Sequence, residues 1–134
     1  MSFVLDASVA GSWLIPDERS EAAQALGQRM LAEGAIAVDL FRHEVRNLLV
    51  TAVRRKRMPE DLLWSQLERI EAMPIEMAPS GPAARIITLA LTHDLTAYDA
   101  AYLDLARERR LPLASFDDRL RRAAAAEGVT LIDG

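Results

Sequence analysis

Short apolar runs alternate with longer helical patterns along this chain, and that alternation constrains the fold more than any other feature. Phe3–Leu5 and Ala35–Val38 are too short for helices, so each run predicts a strand. Further strands are predicted at Ile75–Met77, Leu113–Ser115 and Val129–Leu131. Because helical patterns separate these runs, the sequence predicts an α/β fold with a central parallel sheet and helices on both faces.

The helical segments are recognised from apolar residues spaced three and four apart. Helices are predicted at 17–34, 41–57, 59–72, from 83 to about 91, from 97 to about 110, and at 118–127. A length of 134 residues predicts one domain with a core of its own.

The composition excludes several classes of protein. The net charge of −4 lacks the basic balance of a protein that binds nucleic acid over its whole surface. The absence of cysteine excludes disulfides and thiolate metal sites, and it fits a reducing cytoplasm. No apolar run approaches the roughly 20 residues of a membrane helix, and the N-terminus shows no secretory signal pattern. We therefore expect a cytoplasmic protein without a membrane partner.

Four acidic residues stand where a globular protein has little reason to keep a carboxylate. Asp6 and Asp117 follow predicted strands, Glu44 lies on the apparent inner face of a helix, and Asp99 begins an otherwise apolar helix. All four can be placed at the carboxyl edge of a parallel sheet, where such folds bind ligands. Two carboxylates about 5 Å apart repel by roughly 3 kcal/mol at an effective dielectric near 20. A divalent cation offsets this repulsion, and oxygen donors favour Mg²⁺ or Mn²⁺.

Each of these acids also has an ordinary structural interpretation. Asp6 and Asp117 could cap the helices that follow them. Asp99 completes a pattern with Thr96 that resembles a capping box. Glu44 could be a solvated side chain, although this is the weakest of the alternatives. Asp118, directly after Asp117, competes with it for the same role. Only the joint placement of the four acids therefore predicts a metal site.

Four ordered segments resemble the motifs of the PIN-domain family, and more narrowly those of VapC-type toxins of bacterial toxin–antitoxin pairs. They are FVLDASV at 3–9, HEVRNLL at 43–49, LTAYDAAYL at 95–103 and LASFDDRL at 113–120. The resemblance implies a three-layer α/β/α sandwich formed by a single PIN domain over residues 1–134. It also implies an Mg²⁺-dependent endoribonuclease, with Mn²⁺ as a substitute.

The resemblance also assigns roles to individual residues. It implies that the catalytic, metal-binding acids are Asp6, Glu44, Asp99 and Asp117. The residues that would hold these carboxylates or their waters are Ser8, Asn47 and Ser115. The partners it implies are an RNA substrate, a cognate antitoxin protein and a second copy of the chain in a homodimer.

An acidic site repels the phosphates of RNA, so basic residues elsewhere must attract the RNA to the protein. Arg54 and Arg55 belong to the densest basic run and are candidate RNA contacts, although basic residues are also favoured at helix C-termini.

Two alternative functions stay open from the sequence. One is a non-catalytic PIN-fold binding module that acts through its antitoxin, and the other is a structure-specific DNA nuclease.

Overall fold

Four parallel strands form the central sheet in the computed structural model, which describes residues 1–133. The strands are β1 (Phe3–Leu5), β2 (Ala35–Val38), β3 (Ile75–Ala78) and β4 (Leu113–Ala114), in the spatial order β3-β2-β1-β4. The predicted α/β fold with a parallel sheet is therefore confirmed. The predicted domain range of 1–134 ends on Gly134, which lies outside the described residues, and the single domain stays a prediction.

Seven α-helices accompany this sheet within residues 1–133. They are α1 (Ala7–Leu14), α2 (Glu21–Glu33), α3 (Phe41–Arg54), α4 (Glu60–Glu71), α5 (Ala83–His93), α6 (Ala97–Arg109) and α7 (Asp118–Ala126). Most of the predicted helices are confirmed to within a few residues. The helix predicted at 41–57 ends at Arg54 because the chain turns away at Lys56, whose φ is 58°.

Two predictions differ from the structure. The helix predicted at 17–34 is confirmed as α2 but begins later, because a separate 3₁₀ turn occupies Pro16–Glu18 and α2 starts where the Ser20 Oγ accepts the Ala23 amide at 3.1 Å. The strand predicted at Val129–Leu131 is reduced to one parallel bridge between Leu131 and Leu113. Because β4 itself has only two residues, it offers little edge for a longer pairing.

The central strands are buried along their whole length, and this explains their continuous apolar sequence. Every residue of β1 and β2 is buried, as expected for parallel strands covered on both faces. In the β1–β4 register, Leu5 pairs with Ala114. The residues that follow these two strands, Asp6 and Ser115, are therefore neighbours at the carboxyl edge of the sheet.

Helix α6 packs against β1 and β2, and every residue from 100 to 106 is buried. One of these residues is charged: Asp104 is 2% exposed and forms a bidentate ion pair with Arg85 of α5. Gly81 leaves room for this pair, because a Cβ at that position would clash with the Asp104 Oδ2 atom.

Among the described residues, no helix is both long and apolar enough to cross a membrane.

Candidate metal centre

Asp6 is the most buried of the four predicted acids, with 3% of its surface exposed. Its Oδ1 atom accepts the Ser8 amide at 3.1 Å and the Ser8 hydroxyl at 2.6 Å, so Asp6 does cap α1. Its Oδ2 atom accepts the Ser115 hydroxyl at 2.6 Å. Since a carboxylate oxygen has two lone pairs, Oδ1 is fully used and Oδ2 keeps capacity for one more partner. The capping interaction therefore leaves room for a ligand at Asp6.

The same two serine hydroxyls fix the loop after β4. The Ser8 Oγ atom accepts the Phe116 amide and the Ser115 Oγ atom accepts the Asp117 amide, each at 3.0 Å. Asp117 in turn caps α7, with its Oδ1 atom accepting the Leu120 amide at 2.9 Å. Each serine thus donates to Asp6 and accepts from the β4–α7 loop, so the first and last acids belong to one network.

Glu44 projects from the first turn of α3 and is half-buried. The hydroxyl of Tyr102, a fully buried residue of α6, donates to its Oε1 atom at 2.7 Å. Tyr102 was not among the predicted site residues. The available signal was its position three residues after Asp99, which places the two side chains on one face of a helix.

Asp99 lies in the first turn of α6, where its amide donates to the Thr96 Oγ atom at 3.1 Å. The predicted cap by Thr96 is therefore present. The Asp99 side chain is half-buried and lines a cleft together with Asp6, Glu44 and Asp117. The cleft has a volume of about 470 Å³.

The remaining predicted site residues fall into two groups. Ser8 and Asn47 line the cleft beside the four acids, while Ser115 is buried behind Asp6. Arg54 and Arg55 are exposed at the far end of α3, roughly 15 Å along the helix from Glu44. Asp118 is exposed on α7 and is not among the residues that line the cleft.

Burial and mutual repulsion perturb the acids of this cleft. Burial raises the pKa of Asp6 to about 6, against the hydrogen bonds from Ser115 and Ser8 that lower it, and the charge of Asp99 raises it further. Burial also raises the pKa of Glu44, where the Tyr102 hydrogen bond opposes the shift and the charge of Asp99 adds to it. The pKa of Asp99 is raised by burial and by the charge of Asp117. Asp99 is thus the acid through which the other three are electrostatically coupled.

The donor chemistry of the cleft fits a hard divalent cation. Its four acids offer only carboxylate oxygens, the ligands that Mg²⁺ and Mn²⁺ prefer. Within residues 1–133, no three His, Asp or Glu side chains are grouped closely enough to hold one ion as they stand. Glu44 and Asp99 are half-buried and line the same open cleft as Asp6.

The sequence profile of the PIN domain matches residues 3–126. The chain therefore belongs to the PIN-domain family, and the resemblance found in its motifs is confirmed. A relative within this family is Ribonuclease VapC3 of Pyrobaculum aerophilum. It is 34% identical over 125 residues, which cover 90% of this chain and 92% of the relative.

Solved structures share the fold at lower sequence identity. The crystal structure of PAE2754 from Pyrobaculum aerophilum matches with a TM-score of 0.72 and 21% identity, covering 92% of this chain and 84% of the other. The crystal structure of FitAcB from Neisseria gonorrhoeae matches with a TM-score of 0.67 and 20% identity, covering 98% of this chain and 96% of the other. These similarities support the three-layer α/β/α arrangement of the PIN fold.

Proposed function

We propose that this protein is an Mg²⁺-dependent endoribonuclease, the toxin of a toxin–antitoxin pair that a cognate antitoxin neutralises. The observation that carries the proposal is the cleft in which Asp6, Glu44, Asp99 and Asp117 come together from four separate parts of the chain. Membership of the PIN-domain family and the similarity to a protein named as a ribonuclease give the reaction class.

Asp6 and Asp99 are the proposed direct ligands of the cation. Asp6 offers the free position on its Oδ2 atom, and Asp99 is coupled electrostatically to each of the other acids. Glu44 and Asp117 complete the ligand set or accept a hydrogen bond from the attacking water. A bound Mg²⁺, or Mn²⁺ in its place, supplies Lewis acidity that lowers the pKa of a coordinated water and offsets charge on the phosphodiester.

Hydrogen bonds orient two of these carboxylates within the cleft. Ser8 and Ser115 orient both oxygens of Asp6, and Tyr102 orients Glu44. Partners of this kind typically change metal affinity or activity by 10- to 100-fold when they are removed. The amide of Asn47, which is exposed at the cleft, can donate to a phosphate oxygen or to a water.

RNA cleavage by the purified protein tests the site. We expect the wild type to cut single-stranded RNA in Mg²⁺, to stop in EDTA, and to leave DNA of the same sequence intact. Asp6→Asn and Asp99→Asn should abolish cleavage while circular dichroism shows an unchanged fold.

Asp117→Asn and Asp118→Asn form a matched pair, because only the first of these neighbours lines the cleft. Full activity of Asp99→Asn would contradict the assignment, and cleavage of flap DNA in preference to RNA would favour a DNA nuclease.

Arg54 and Arg55 are proposed to contact the RNA backbone on its way to the cleft. Phosphate contacts release counterions, so binding should weaken as salt rises. The double variant Arg54→Gln/Arg55→Gln should bind RNA more weakly and with a flatter salt dependence. The equivalent variant at Arg109 and Arg110, which also end a helix, is the matched control and should retain the wild-type slope.

The proposed protein partners are a cognate antitoxin and a second copy of the chain. The antitoxin proposal predicts that co-expression with the product of a small neighbouring reading frame suppresses the RNA cleavage. A chain that binds such a product but never cleaves RNA would instead be a non-catalytic module.

A further inference from the structure

Helix α7 carries three arginines in its first half, where basic residues do not stabilise a helix. Arg119, Arg121 and Arg122 lie among its first five residues, and its last turn has no basic residue. Cations are favoured near helix C-termini, because the backbone dipoles leave partial negative charge there and partial positive charge at the N-terminus. Helix stability therefore does not explain these arginines, in contrast to Arg54 at the end of α3.

Contacts within the chain account fully for only one of the three. Arg121 is held by Asp133, whose Oδ1 atom accepts its Nη1 at 2.8 Å. Arg119 contacts Asp94 through Nη1 alone, at 3.2 Å from the carboxylate and 3.3 Å from the carbonyl oxygen. A guanidinium has five N–H donors, so most of those of Arg119 stay available. Arg122 is exposed and makes no ion pair or hydrogen bond through its side chain within residues 1–133. Both side chains can therefore bind a ligand.

Arg119 and Arg122 line a recess of about 340 Å³ between α7 and the end of α5. The other lining residues are His93, Asp94 and Ala123. Two guanidinium groups thus stand against a single carboxylate, whose side chain is 90% exposed to water. The recess is positive although the whole chain has a net charge of −4. Such a local field attracts an anionic ligand to this part of the surface.

Both walls of the recess lead to the acidic cleft. Helix α7 begins directly after Asp117, which lines the cleft. With a rise of about 1.5 Å per residue, Arg119 and Arg122 lie about 3 and 7.5 Å along α7 from Asp117. On the other wall, the chain passes from Asp94 through a short turn to Asp99 of the cleft. An extended polyanion with one phosphate in the cleft can therefore place a neighbouring phosphate in the recess.

The chemistry of a phosphodiester strand matches this pair of sites. A bound cation neutralises the phosphate that is cleaved, while the four acids repel the phosphates on either side of it. Those phosphates need cationic partners just outside the cleft, and the planar guanidinium of arginine binds two phosphate oxygens at once. Arg54 and Arg55 are too distant for this role, since they lie roughly 15 Å along α3 from Glu44.

We infer that the recess between α5 and α7 binds the RNA backbone beside the cleaved bond, with Arg119 and Arg122 as its phosphate contacts. This inference rests on the endoribonuclease activity of the proposed function and assigns a second contact region for the same substrate. The two arginines bind the strand and take no part in the chemical step.

Fluorescence anisotropy with a short labelled single-stranded RNA tests the inference. All proteins carry Asp99→Asn, so that binding is measured without cleavage. Adding Arg122→Gln should weaken binding about 10-fold and reduce the slope of log affinity against log salt by about 1. Arg109→Gln is the matched control, because it removes the same charge from an exposed helix position about 15 Å along α6 from Asp99. This control should keep the affinity and the slope of Asp99→Asn.

Neutral linkages in the RNA locate the contact. Replacing one phosphate near the cleavage site by a methylphosphonate, next to a 2′-O-methyl ribose for stability, should weaken binding to Asp99→Asn. The same replacement should have no further effect once Arg122→Gln is present. Equal losses with Arg122→Gln and Arg109→Gln would overturn the inference, because they would reflect total charge alone.

A protein ligand is the competing occupant of this recess. Unchanged RNA binding by Arg122→Gln, together with loss of binding to the product of the neighbouring reading frame, would assign the recess to an acidic segment of that product and overturn the inference. Neither result affects the cleavage test of the four acids. Cleavage of the labelled RNA by Asp99→Asn would instead count against the proposed site and not against the recess.

Discussion

Replacing Asp6 by asparagine should stabilise the protein when no divalent cation is present. Burial raises the pKa of Asp6 from 3.8 to about 6, so ionisation of this carboxyl is unfavourable in the folded chain. Since one pKa unit corresponds to 1.36 kcal/mol, the ionised group costs about 3 kcal/mol at pH 7.5. Asparagine has nearly the same shape, carries no charge and can keep an oxygen as hydrogen-bond acceptor. We therefore expect Asp6→Asn to gain up to about 3 kcal/mol in the free energy of unfolding, measured in urea with EDTA.

The dependence of this gain on pH follows from proton binding. Between about pH 4 and pH 6 the folded wild type holds a proton on Asp6 that the unfolded chain has lost. The stability that Asp6 contributes is therefore complete below pH 3.8 and is lost as the pH rises through about 6. The advantage of Asp6→Asn should be small at pH 4 and largest above pH 7. Mg²⁺ should stabilise the wild type at pH 7.5 by mass action and leave the variant unchanged.

Asp104→Asn is the matched control, because Asp104 is equally buried but paired with Arg85. Removing this carboxylate breaks charge-assisted hydrogen bonds and should cost roughly 1.5–3 kcal/mol. The two buried aspartates are thus predicted to give effects of opposite sign. The reasoning is refuted if Asp6→Asn is no more stable than the wild type in EDTA at pH 7.5, or if its gain does not change with pH.

Two further substitutions test the surroundings of the site. Tyr102→Phe removes the hydroxyl that donates to Glu44. Calorimetry should show Mg²⁺ binding that is about 10-fold weaker. An unchanged Mg²⁺ affinity would contradict a role for this hydrogen bond. Gly81→Ala places a methyl group against Asp104 and should cost roughly 2 kcal/mol in urea unfolding, because the ion pair with Arg85 must shift. RNA cleavage by Gly81→Ala should persist at a temperature where the variant stays folded.

The parallel sheet could be predicted because its central strands are buried on both faces and therefore read as uninterrupted apolar runs. The strand predicted at Val129–Leu131 was wrong. This segment has the composition of a strand, but the neighbouring edge, β4, has only two residues and forms a single bridge with it. The start of α2 was predicted four residues too early. Asp17 and Glu18 belong to a separate 3₁₀ turn, and α2 begins after Ser20, whose hydroxyl caps it.

The four acids could be predicted as a group because strand ends and helix starts fix one edge of the sheet. Their hydrogen-bond partners were harder to predict. Tyr102 is an aromatic residue in an apolar helix, and its role depends on a contact with Glu44, 58 residues away in the sequence. The exposure of Ile87 on α5 was likewise hard to predict, because an isoleucine in a helical pattern looks like a core residue, whereas the structure leaves it 53% exposed.

Isothermal titration calorimetry of Mg²⁺ against the wild type and Asp99→Asn most directly tests the claim that the four acids form one cation site. Asp99 is the acid whose charge is coupled to the other three, so its loss should reduce the affinity by more than any change outside the cleft. We predict measurable binding by the wild type and by the control Asp94→Asn, whose side chain is exposed outside the cleft, and none by Asp99→Asn. Equal Mg²⁺ affinity of the wild type and Asp99→Asn would contradict the account.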